Sequence, residues 1–201
     1  MNDVTFFDSE NKDSDHPDPI SQKLLQVPVG HHYLLLYSDL AKIRQVYSKY
    51  VRMQLETQPD SIIVILPFYE NTEKVREALE ANNIDVKKLV LQNTLIIVDM
   101  LKVVRNEYYG VSDVERLRAF IKQVEEQHPD MPIFVIADMS AFQLLKKSSE
   151  LMEYERTLHK DLKRENWKEI CLYHKRDFES MFNRGQSDEL LNYHKDRVIK
   201  V

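Results

Sequence analysis

Apolar runs of strand length alternate with helical patterns along most of the chain. HYLLLY (32–37), SIIVILP (61–67), TLIIVDM (94–100), MPIFVIADM (131–139) and EICLYH (169–174) are continuously apolar rather than alternating. Such runs predict strands covered on both faces, as in a parallel sheet. RVIKV (197–201) predicts a further strand at an edge. Between the runs the period changes to 3.6. From Ser38, a plausible N-cap, Leu40, Ile43, Val46, Tyr47, Tyr50 and Val51 mark one helix face. NTEKVREALEANN (71–83) predicts a short amphipathic helix. Ser112 and Glu115 stand at capping-box spacing before a helix that buries Val114, Leu117, Phe120, Ile121 and Val124. A long helix is expected over 141–164, with Leu144, Leu145, Ser148, Leu151, Met152, Leu158 and Leu162 on its stripe. A last helix is expected over 176–193, interrupted near Gly185.

Strand and helix in alternation with short connections predict an α/β fold. The expected form is a three-layer sandwich with a mostly parallel sheet of five to six strands, helices on both faces and right-handed crossovers. One domain is expected over 21–201. Residues 1–20 are acidic and proline-punctuated, and are expected to form a disordered tail in which Phe6-Phe7 is read as an incidental pair, with a short docking motif as the alternative, and His16 carries no special reading.

Charge and composition narrow the function classes. The net charge of −5 is spread over mixed helices, which argues against direct nucleic-acid binding. Only three glycines, Gly30, Gly110 and Gly185, occur in 201 residues, so a glycine-cradled phosphate site is not expected. Cys171 is the single cysteine and is expected to be a reduced core thiol. No apolar stretch reaches the ~20 residues of a membrane span, and the N-terminus is unlike a signal peptide, so the expected compartment is the cytoplasm.

Ligands of open parallel sheets bind beyond the C-terminal strand ends. That rule collects Tyr37, Ser38 and Asp39; Phe68, Tyr69 and Glu70; Asp99; Asp138 and Ser140; and His174 through Asp177. The candidate ligand-binding residues are Tyr37, Ser38, Asp39, Asp99, Asp138, Glu155 and His174. Asp99 resembles the magnesium-binding acid of phosphate-loop ATPases, but G-x-x-x-x-G-K-[ST] is absent, and a helix-capping acid is the simpler reading. Glu155 falls among leucines on its helix stripe, where a carboxylate needs a partner such as an arginine, a histidine or a backbone donor. A ligand-contacting role is its alternative. His31 and His32 point to opposite faces of a strand and do not suit one metal ion. No metal, cofactor or catalytic residue is expected.

The order of short motifs resembles the MEDS domain, a methanogen and methylotroph sensory domain related to KaiC-type RecA ATPases without the phosphate loop. Gly30-His31-His32 leads to Tyr37; Asp138-Met139-Ser140 ends the fourth run; Tyr154-Glu155 follows in a helix. Cys171, Tyr173 and Phe178 then match the L-C-x-Y-x-x-x-x-F pattern, and His194 precedes the last apolar run. The usual GL..GE turn is replaced by QLETQPD, and an aspartate stands where glutamate is usual after the fourth strand. The resemblance covers 28–201. It implies a non-enzymatic sensory or signal-transduction module that binds a small molecule or a protein partner. With no output domain recognised in the chain, signalling is expected in trans, to a transcription regulator or kinase, or through a homodimer. A residual nucleotide hydrolase using Asp99 and Asp138, and a pure interaction scaffold, are the alternatives.

Overall fold

The computed structural model describes residues 18–105, 112–161, 166–194 and 197–201, and six parallel strands form its one sheet. They are β1 (His32–Tyr37), β2 (Ile62–Leu66), β3 (Leu95–Ile97), β4 (Ile133–Asp138), β5 (Trp167–His174) and β6 (Val198–Lys200), in the order β3-β2-β4-β5-β1-β6. The helices are α1 (Pro19–Leu25), α2 (Leu40–Thr57), α3 (Thr72–Glu80), α4 (Val86–Leu91), α5 (Met100–Val104), α6 (Asp113–Gln127), α7 (Ala141–Leu145), α8 (Ser148–Asp161), α9 (Lys175–Met181) and α10 (Arg184–His194).

The direction of each crossover decides which face its helices cover. β1→β2 and β2→β3 step one way along the sheet, and α2, α3 and α4 pack with α1 on one face. β3→β4, β4→β5 and β5→β6 step the other way, and α5 to α10 pack on the opposite face. The expected three-layer sandwich is therefore the fold. Every residue of β2 and β4 is buried, as their unbroken apolarity predicts. The edge strand at 197–201 pairs with β1.

Some boundaries differ from the sequence reading. β3 is short because Asp99 turns aside to cap α5, accepting from the Leu101 N–H at 2.8 Å. The cap of α2 is Asp39, not Ser38: its carboxylate accepts from the N–H groups of Ala41 and Lys42. Ser112 does cap α6. The tail expected through residue 20 gives way to α1 at Pro19, with Asp18 as its cap; Phe6, Phe7 and His16 lie outside the described residues, as does Leu162. The long helix expected from 141 is broken at Lys146, whose φ of 56° is left-handed. The break shifts the helical phase, so Leu144 is 56% exposed while Leu151, Met152 and Leu158 remain buried. The last helical stretch does break near Gly185, at Phe182–Asn183, and Gly185 itself lies inside α10.

Lys146 occupies a position that glycine takes without a Cβ penalty, and its side chain is exposed. Lys146→Gly is expected to raise stability by roughly 1 kcal/mol, read as a higher urea midpoint at unchanged slope.

Candidate functional site

Alternation along the strands separates the candidate residues into two layers. Tyr37, Asp138 and His174 point to the α2 side, whereas His32, Cys171 and Tyr173 point to the α8–α10 side.

On the α2 side the strand ends form a crevice. β2 and β4 are neighbours whose connections leave in opposite directions, which is the switch point where open α/β sheets place ligands. The Tyr37 hydroxyl donates to the Asp138 carboxylate at 2.8 Å, and the Ser140 N–H donates to its other oxygen at 3.1 Å. Burial raises the Asp138 pKa from 3.8 to about 6, against the lowering effect of the Tyr37 hydrogen bond. His174 lies edge-on to Tyr37, with ring centroids 5.4 Å apart, and its backbone N–H donates to the Ser140 hydroxyl at 2.9 Å. Tyr69, 43% exposed, covers the group: its ring lies 5.3 Å from His174 and its hydroxyl donates to Asp177. Next to Asp138, Tyr37, Tyr47, Phe68 and Glu70 help to enclose about 20 Å³, room for one water. Glu70, only 8% exposed, accepts from Arg44 and from the Tyr47 hydroxyl, which ties the β2–α3 loop to α2.

Ser38 and Asp39 are exposed, and Asp39 is engaged in capping α2. Asp99 caps α5 at the end of β3, two strands from Asp138. These residues do not join the crevice, because each strand end is also a helix start and an acid there satisfies the first N–H groups.

Glu155 lies on the opposite face, away from that crevice. It is wholly buried on α8 and accepts a hydrogen bond of 2.5 Å from Tyr173 on β5. Its other oxygen lies 3.4 Å from Nε2 of His32 on β1 and 3.6 Å from Nε2 of His194 at the end of α10. The two imidazoles meet edge-on at 4.3 Å. His194 Nδ1 donates to the Leu190 carbonyl at 2.8 Å, and burial lowers its pKa to about 4. Beside this group Tyr154 donates to both oxygens of Glu169, at 3.0 and 2.8 Å. Burial raises Glu169 to about 8, so it is largely protonated at neutral pH. Cys171 is free and fully buried, and burial pushes its thiol well up, as expected of an inert core cysteine. Phe178 packs edge-on against Tyr173 at 5.5 Å. Of the histidine pair, His32 is buried and His31 partly exposed. Gly30 holds φ at 81° in the turn that feeds β1.

His32, Tyr154, Glu155, Cys171, Tyr173, Phe178 and His194, scattered over the sequence, thus meet in one buried cluster. Across residues 31–195 the sequence matches the MEthanogen/methylotroph, DcmR Sensory domain. The chain belongs to the MEDS family. Among solved structures this MEDS domain is similar to a KaiC-like protein of the hyperthermophilic archaeon Pyrococcus horikoshii OT3, at a TM-score of 0.57 and 14% identity. That alignment covers 81% of the MEDS chain and 68% of the archaeal one, and it shows a shared fold. Against curated proteins the sequence finds no match. No helix among the described residues of the MEDS chain is long and apolar enough to cross a membrane.

The sequence reading missed Glu169 and the role of His194. A charged residue inside the EICLYH run signals Glu169. His194 has no local signal, since its partners come from β1 and α8.

Proposed function

We propose that this MEDS domain is a non-enzymatic sensory module that reads a small polar molecule in the crevice over β2, β4, β5 and β1. The observation that carries the reading is Asp138: a buried carboxyl held by Tyr37 at the switch point, beside a water-sized space. Its pKa near 6 lets it accept or donate near neutral pH. The space admits only a water, and Phe68 and Glu70 of the β2–α3 loop line it, so a ligand enters by displacing that loop. Tyr69 and Glu70 are adjacent, and Glu70 is tied to Arg44 and Tyr47. Displacing the loop therefore moves the start of α2, a surface from which a protein partner can read the change.

The test is thermal shift of the purified chain against small alcohols, amines, carboxylic acids and Mg·ATP. At least one small polar compound is expected to raise the wild-type Tm and to lose that effect in Asp138→Asn. If no compound shifts the wild type, the reading fails. Asp99→Ala is expected to cost about 1 kcal/mol through loss of the α5 cap and to leave the ligand response intact. A Mg·ATP response abolished by Asp99→Ala would put a nucleotide-binding function in its place.

A further inference from the structure

We propose that His32, Glu155 and His194 form a buried site for a divalent transition-metal ion of the zinc class. The inference is independent of the Asp138 crevice, which lies on the other face of the sheet.

Three observations carry it. Two imidazoles and one carboxylate are a donor set suited to zinc and its neighbours, and their ligand atoms all lie within 4.8 Å of one another. The carboxylate-to-imidazole separations of 3.4 and 3.6 Å are close to the roughly 3.3 Å between ligands of a tetrahedral ion with bonds of about 2.0–2.1 Å.

The second observation is the tautomer of His194. The Leu190 carbonyl only accepts, so the bond at 2.8 Å requires a hydrogen on Nδ1. In the neutral ring Nε2 then carries a lone pair, 3.6 Å from Glu155 Oε2. Among the described residues His194 Nε2 has no hydrogen-bond partner, and Glu155 Oε2 has the two imidazoles as its near polar neighbours. Two acceptors facing each other in a buried layer are unfavourable, and a cation between them removes the conflict.

The third is the support around the donors. A metal-bound imidazole usually donates its second N–H to a carbonyl, as His194 does to Leu190. The Tyr173 hydroxyl occupies Glu155 Oε1 and leaves Oε2 turned toward the two rings. One ion would thereby join β1, α8 and α10, so binding is coupled to folding.

The full chain, stripped with EDTA and dialysed against Zn²⁺, is expected to retain about one ion per chain and to show a raised Tm. Co²⁺ in its place is expected to give the intense visible bands of a tetrahedral site. His194→Gln and Glu155→Gln are each expected to weaken binding by about tenfold or more. His31→Ala, a change at a partly exposed histidine that precedes β1 and contacts the Val29 carbonyl, is expected to leave it unchanged. A wild-type protein that retains no zinc and gives no cobalt bands overturns the proposal, whatever the variants do. Stoichiometric binding unaffected by both Gln variants, or abolished by His31→Ala, also overturns it.

Discussion

Replacing Glu155 with alanine is expected to destabilise the metal-free domain by about 3–5 kcal/mol, because it removes one partner from a buried polar group. Glu155 is fully buried, and the alanine would orphan the Tyr173 hydroxyl while opening a void between α8 and the sheet. Each buried group left unsatisfied costs about 1–3 kcal/mol. Glu155→Gln is expected to cost less than half as much. Its carbonyl still accepts from Tyr173, and its amide presents a donor to the Nε2 lone pair of His194. Urea unfolding in EDTA, with the slope checked for constancy, measures both. Equal losses for Ala and Gln would show that packing volume rather than polar pairing is what Glu155 supplies.

The ordering Gln above Ala also separates stability from metal affinity. The glutamine variant remains folded and loses the anionic donor, so its loss of zinc would report on coordination alone.

The sheet was legible because strands buried on both faces must be apolar throughout, and β2 and β4 meet that demand at every residue. Glu155 was legible as an anomaly for the same reason, since a heptad stripe leaves no ordinary place for a carboxylate. Its partners were not, because His32 begins β1 and His194 ends α10, and only the tertiary fold brings them to α8. Strand-end placement found Tyr37, Asp138 and His174 together with Asp39 and Asp99. It could not divide them, since helix capping and ligand binding draw on the same acids at the same turns. The helix break at 146 was hidden for a different reason: the left-handed residue there is a lysine and not a glycine.

Asp138→Asn is expected to become more stable relative to wild type as pH rises, by up to roughly 3 kcal/mol across the acid range. Burial lifts the folded-state pKa from 3.8 to about 6, so folding favours the protonated acid. The stability that this proton contributes is fully present below about pH 4 and is lost as pH climbs through 6. Asparagine imitates the uncharged acid at every pH and so does not lose it. Unfolding both proteins at intervals from pH 4 to pH 7 should show their difference widening in steps that track the wild-type titration. A difference that stays flat would mean that Asp138 titrates as an ordinary exposed acid, and the enclosed crevice would lose its chemical basis. The same proton makes ligand binding diagnostic. A cationic ligand stabilises the ionised acid, so its affinity should rise as pH passes through 6. An anionic ligand should bind more weakly over that interval, and a neutral ligand that accepts the Asp138 proton as a hydrogen bond should do the same. The slope of affinity against pH in the wild type, and its absence in Asp138→Asn, would therefore separate cationic ligands from acceptors before the ligand is identified.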